Sequence, residues 1–235
     1  MIDINERDLV ALARSSTASI QSQLFRRGLR NTFLYGLRPL NPECASFVGE
    51  AFTLRYIPAR EDIDTIDIFA DPLHPQRLAI ESVKPGQVLI MDCRQDAHAA
   101  SSGSILMTRL KMRGAVAMVT DASLRDTPAL ASLEFPMFSA GASATINLAR
   151  HHAVDFQVPI ACAGVAVYPG DILVGDAEGV VVIPRHLAVE VAAAAAEQEE
   201  LERFLLKRVS EGAALVGTYP PNEQTLSDFR AERDS

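Results

Sequence analysis

Leu9, Leu12, Ile20 and Leu24 recur at spacings that fall on one helical face across residues 4–28, and Gly28 stands where such a helix would stop. The spacing predicts one N-terminal packing helix. Residues 47–57 (FVGEAFTLRYI) alternate well enough for a strand, while 87–92 (QVLIMD) and 114–121 (GAVAMVTD) are short apolar runs typical of buried strands. Residues 105–113 and 143–150 read as helices, with His151-His152 placed to cap the second. The pattern P-G-x-[VI]-L-[IV]-x-D occurs twice, at 85–92 and 169–176. Pro then Gly makes a type II turn that launches a strand, so a shared turn explains the echo, with a duplicated half-domain as the alternative. The second copy continues through Ala177-Glu178-Gly179 into 180–184, a hairpin signal. Residues 186–212 are Ala-rich and charged, a strong helix stopped by Gly212, and the tail around Tyr219-Pro220-Pro221 is expected to be extended. Strands between helical ends predict one α/β or α+β domain.

Composition narrows the function. Hydrophobic residues at 48% and charged residues at 22% are a globular balance, and 22 Lys plus Arg against 30 Asp plus Glu leave a net charge of −8. A general nucleic-acid or anionic-membrane binder would concentrate positive charge, so neither partner is expected. Three dispersed cysteines, Cys44, Cys93 and Cys162, suggest small buried hydrophobes and no disulfide framework or zinc site. The N-terminus carries charges where a leader would need an apolar run, and no stretch reaches the ~18 apolar residues of a membrane span. A cytoplasmic protein is expected.

Candidate chemistry gathers between Ala99 and Asp126. Small residues at 99–104 precede the helix at 105, so its unpaired N–H groups form an anion seat or are simply capped. Beyond the strand at 115–120, Asp121, Arg125 and Asp126 offer a carboxylate-binding fork beside hard-metal oxygen ligands, or a loop salt bridge. His98 lies near the anion seat. The acidic run Glu61, Asp62, Asp64, Asp67 and Asp71 lacks an EF-hand pattern and reads as a solvated loop. The only lysines, Lys84, Lys111 and Lys207, sit in polar settings, which disfavours imine chemistry. No GxSxG, Walker A or GxGxxG motif occurs.

At these residues the chain resembles the RraA-like family. That family groups metal-dependent 4-hydroxy-4-methyl-2-oxoglutarate / 4-carboxy-4-hydroxy-2-oxoadipate aldolases with the regulator of ribonuclease activity A. The likeness runs over roughly 45–215, through 48–53, 85–92, 103–126, 158–160, 164–171 and 175–184. It implies an α/β/β/α sandwich over 1–215, with its core at about 45–185 and a tail at 216–235. It also implies a homotrimer or homohexamer and a magnesium or manganese ion. The aldolase pattern is Gly, three residues, an acidic residue, about twenty residues, then Arg-Asp. Arg125 matches the pyruvyl-binding Arg and Asp126 the metal ligand, whereas Ala100 and Ser104 replace the Gly and the acid. Gly103, Ser104, Ile105 and Leu106 would surround the pyruvyl end, and Asp121 or Glu199 would assist proton transfer. Glu199 or Glu200 would do so from a neighbouring subunit. The implied reaction is cleavage of a 4-hydroxy-2-oxo acid to pyruvate, with oxaloacetate decarboxylation as a side activity. The alternatives are a non-catalytic regulator that binds a ribonuclease or helicase, or other keto-acid or sugar-acid lyase chemistry.

Overall fold

Alternation along the strand at 87–92 divides the molecule. Val88 and Ile90 enter one apolar cluster, while Leu89 and Met91 point into another on the opposite face. The computed structural model describes residues 4–233. Its large sheet contains β1 (Arg38–Pro39), β2 (Phe47–Pro58), β3 (Gln87–Asp92), β5 (Ala117–Thr120), β7 (Met137–Ser139), β9 (His151–Phe156), β10 (Ile172–Gly175) and β11 (Val180–Ile183). A small parallel sheet contains β4 (Ala100–Ser102), β6 (Ser123–Leu124) and β8 (Gly141–Ala142). The large sheet runs β1-β7-β5-β3-β2-β10-β11, with β9 added to β2. β2 carries β10 antiparallel at its start, β9 antiparallel at its end, and β3 in parallel register from Glu50↔Gln87 to Arg55↔Asp92.

Helices complete the layers: α1 (Glu6–Ala13), α2 (Thr17–Arg26), α3 (Pro75–Ser82), α4 (Ser104–Met112), α5 (Thr127–Ala131), α6 (Ala188–Ser210) and α7 (Glu223–Arg233). Crossover helices α3, α4 and α5 connect the parallel strands β2, β3, β5 and β7, and they bury Ile80, Met107, Leu110 and Leu130 against Leu54, Leu89 and Met118. The sheet curls, so Val88, Ile90, Ala117 and Val119 from one half meet Leu173, Val180 and Val182 from the other. Behind that second half, Ile172, Val174, Val181 and Ile183 pack against Leu12, Ile20, Leu24, Val191 and Ala195 of the terminal helices. The result is the α/β/β/α sandwich. Both Pro-Gly turns form as read: Gln87 N–H donates to Lys84 O (3.1 Å) and Asp171 N–H to Tyr168 O (3.0 Å), with Gly86 and Gly170 at φ +83° and +89°. They launch strands that run in opposite senses against β2, so turn chemistry accounts for the echo without a duplication. No described helix is long and apolar enough to cross a membrane.

Four expectations change. The N-terminal helix is two, because Ser16 adopts extended backbone and its hydroxyl caps α2 by accepting the Ser19 N–H at 3.1 Å. Residues 143–150 form only a 3-10 turn at Asn147–Ala149, and His151-His152 begin β9 because the far half of β2 needs a partner. The tail contains a helix, α7, held on α6 by Arg208–Asp228 (2.6 Å), Lys207–Glu232 (2.9 Å) and the Phe204–Phe229 ring pair. In the acidic run, Asp64 is buried and meets His152 Nδ1 at 2.6 Å. Cys93 and Cys162 are buried free thiols, and Cys44 is partly exposed.

Candidate active site

The small sheet exists to bring two chain turns together. Parallel pairing of β4 with β6 sets Ser102 opposite Leu124, so Gly103 at the start of α4 lies against Arg125-Asp126 at the end of β6. The Arg125 N–H donates to Ser102 O (3.1 Å) and locks that contact. Asp126 sits in left-handed backbone (φ +58°, ψ +29°), which Asp tolerates better than most residues. Its Oδ2 accepts the Ser104 backbone N–H at 3.0 Å and the Ser104 hydroxyl at 3.1 Å, so the carboxylate rests on the N-terminus of α4. Those two bonds, with Arg125 behind them, hold its pKa below the ordinary carboxylate value. Arg125 Nε stands 3.6 Å from Oδ1, with the two side chains 42% and 40% exposed. An ion pair that open adds little stability by itself. Gly103 is obligatory for a different reason: a Cβ there would meet Asp126 Oδ2 at 2.6 Å and Arg125 Cγ at 2.8 Å.

Beside this pair opens a cleft of about 130 Å³, bounded by Ser102, Gly103, Leu106 and Arg125 and, across it, by Arg77 and Asn147. Larger hollows surround α6 and α7, one of about 630 Å³, but they lack this conjunction of fork, carboxylate and helix start. Chemistry therefore locates the site better than volume does. Ser104 N–H is taken by Asp126; the next amides, Ile105 and Leu106, belong to the first turn of α4, whose N–H groups lack intrahelical acceptors. The Ile105 side chain itself is 82% exposed.

Within a single chain the other sequence candidates lie away from this cleft, Glu199 and Glu200 being expected from a neighbouring subunit. Asp121 is 1% exposed, and its carboxylate accepts N–H groups from Cys93 (2.6 Å), Gln95 (3.0 Å) and Ala163 (3.1 Å). Burial pushes its pKa up while the three N–H groups pull it down, with a net rise. This is a loop anchor occupied on all sides and not a base open to substrate. Asp121→Ala is expected to destabilise the protein by roughly 3 kcal/mol or more, read from the denaturant midpoint, because three buried donors lose their acceptor. A loss below about 1 kcal/mol would remove it from that role. Glu199 lies on α6 in the terminal-helix layer, where it accepts the Ser16 N–H (2.8 Å) and hydroxyl (2.7 Å). Burial opposes its ionisation, yet the Ser16 bonds hold its pKa down. Glu200 is exposed on the same helix. His98 pairs with Asp96 at 2.7 Å, and Asp96 also binds Arg150 at 2.8 Å, a staple between loops. Lys84, Lys111 and Lys207 are exposed. Sequence reasoning missed Arg77 and Gln76, which reach the cleft through the docking of α3, where buried Gln76 donates to Ser101 O at 2.7 Å, and Asn147, which reaches it from the 3-10 turn before β9.

No group of three His, Cys, Asp or Glu able to hold a metal occurs among the described residues. Asp126 is a lone, half-open, ionised oxygen donor. That set fits a hard divalent cation that keeps several waters and completes its shell with substrate oxygens, and it does not fit zinc.

Residues 17–182 match the RraA-like family profile described as Aldolase/RraA. The chain belongs to the RraA-like family. It is 31% identical over 142 residues to a Halalkalibacterium halodurans protein named "Putative 4-hydroxy-4-methyl-2-oxoglutarate aldolase", covering 60% of this chain and 67% of that one. The fold resembles a solved structure of an uncharacterized protein from Pseudomonas syringae (TM-score 0.78, 26% identity, 93% of this chain and 100% of that chain). It also resembles Streptomyces coelicolor RraAS2, described as an unusual member of the RNase ES inhibitor RraA protein family (TM-score 0.75, 28% identity, 87% of this chain and 98% of that chain).

Proposed function

We propose that this RraA-like protein is a divalent-metal-dependent lyase that releases pyruvate from a 2-oxo acid. The observation that carries this is the close seating of Arg125 and Asp126 against Gly103, which a Cβ would disturb, with both side chains open to the cleft. Asp126 would hold magnesium or manganese, with water and substrate completing the shell. When bound, the ion polarises the 2-keto oxygen and offsets negative charge there. The Arg125 guanidinium binds the adjacent carboxylate and faces the charge that develops as the C3–C4 bond breaks. The amides of Ile105 and Leu106, at the positive end of α4, orient that same carboxylate. Leu106 adds an apolar side chain to the cleft lining. We further place the protein in the cytoplasm as a homotrimer or homohexamer.

The two reactions differ in their demand for a base. Aldol cleavage must take a proton from the C4 hydroxyl, and beside Asp126, which would hold the cation, the residues lining the cleft add no carboxylate or imidazole. The Ser104 hydroxyl is directed to Asp126 Oδ2. Oxaloacetate decarboxylation needs no base: carbon dioxide leaves, the bonding pair moves toward the C2 oxygen, and C3 later takes a proton from water. Pyruvate release from oxaloacetate is therefore expected to exceed that from 4-hydroxy-4-methyl-2-oxoglutarate. Ser104→Asp should raise the aldol-to-decarboxylation ratio by about tenfold or more, because a positioned base is restored. Parallel changes in both rates would show that Ser104 does not set the balance.

A regulatory reading rests on the likeness to the RNase ES inhibitor family. It requires protein binding and places no demand on the Gly103–Asp126 approach. Capture of a ribonuclease together with no pyruvate from either substrate would favour it.

A further inference from the structure

Among the described residues Arg77 has no ion-pair partner. Its side chain is half-buried on the first turn of α3, its guanidinium carbon lies 4.9 Å above the Phe69 ring, and it borders the same cleft as Arg125. The Phe69 face fixes the guanidinium plane. Its Nε is shielded from solvent and has no hydrogen-bond partner among the described residues, and none of their carboxylates pairs with it. Two acids of the preceding segment have other partners: Asp64 accepts the Arg60 N–H and meets His152, and Asp71 accepts the Leu73 N–H. The backbone beneath Arg77 is also fixed, since neighbouring Gln76 is buried and bonded to Ser101 O. The guanidinium at the edge of the cleft is therefore placed to meet an acceptor that enters the cleft.

Charge decides what that acceptor is. With Asp126 given over to the cation, Arg125 and Arg77 are two positive charges bordering a cleft whose lining residues include no acid, in a chain whose net charge is −8. A monocarboxylate held by Arg125 would leave Arg77 unpaired. A substrate with a second carboxylate at its far end would satisfy both forks.

We propose that Arg77 is the specificity-determining residue of this site, binding the distal carboxylate of a dicarboxylic 2-oxo acid whose pyruvyl end lies at Arg125. This rests on the pyruvyl-site reading above. It adds that selection between diacids and monoacids is made on α3, outside the Gly103–Asp126 unit.

Calorimetric binding of 2-oxoglutarate and pyruvate, with magnesium present and ionic strength fixed, tests this without turnover. Native protein should bind 2-oxoglutarate more tightly than pyruvate. Arg77→Gln should weaken 2-oxoglutarate by about tenfold or more, the worth of one charge-assisted bond, and shift pyruvate by less than about threefold. Arg77→Lys should recover only part of the loss, since ammonium lacks the planar fork. Arg7→Gln, which removes the same charge from exposed α1, serves as the field control. Equal weakening of both acids by Arg77→Gln, an Arg7→Gln effect of the same size, or no effect would overturn the Arg77 assignment and leave the pyruvyl site standing. Binding of neither acid to native protein would instead sink the pyruvyl site, and this proposal with it.

Discussion

Asp126→Asn is expected to lower magnesium-supported pyruvate release from oxaloacetate by about a thousandfold or more, the scale on which metal and oxyanion stabilisation act together. Asn is the informative replacement. It tolerates the left-handed backbone at φ +58°, and its amide oxygen can still accept from Ser104. Only the charge disappears, and with it the single carboxylate available to a cation. Because the Arg125–Asp126 pair is so exposed, Tm should stay within about 2 °C of native. A large fall in Tm with a proportional loss of activity would turn the pair into a structural staple. Retained activity at native Tm would remove Asp126 from the chemistry.

Gly103→Ala is expected to cost about a hundredfold in kcat/KM, the penalty for displacing a reacting group by about 1 Å. The argument is steric and local. At φ −137°, ψ −171° any residue is comfortable, so Ala brings no backbone strain. Its Cβ would stand 2.6 Å from Asp126 Oδ2 and 2.8 Å from Arg125 Cγ, and one or both side chains must move. Both are half-exposed and free to swing outward, so the protein stays folded while the fork and the carboxylate lose register. Calorimetric stability beside steady-state kinetics separates the outcomes. Native kinetics in Gly103→Ala would mean that the close approach has no functional meaning.

The legible parts of the chain were those where one local rule decides. The apolar run at 87–92 marked a buried strand, which β3 is, and Pro-Gly at 85–86 and 169–170 assigned two turns whose glycines are left-handed in the fold. Arg125-Asp126 stood out through its resemblance to a family pattern, and the structure adds why Gly103 must precede it. What stayed hidden was decided at long range. His151-His152 becomes a strand because β2 outruns its other partners, a fact absent from the local sequence. Asp121 and Arg125 look alike as polar residues after a strand, yet one turns inward to three backbone donors and the other outward to the cleft. Arg77 enters the cleft through a side chain-to-backbone bond made by Gln76, twenty-five residues away from its acceptor. The Ser16 break had a local signal, a Ser able to cap, which apolar spacing alone concealed.

The decisive measurement is pyruvate release from oxaloacetate by native protein and by Asp126→Asn, each assayed with chelator and again after magnesium is restored. A pyruvate-forming metal site at Arg125–Asp126 predicts turnover that chelator abolishes and magnesium recovers in the native protein, with neither treatment mattering in the variant. Turnover indifferent to chelator, or equal recovery in Asp126→Asn, would contradict it.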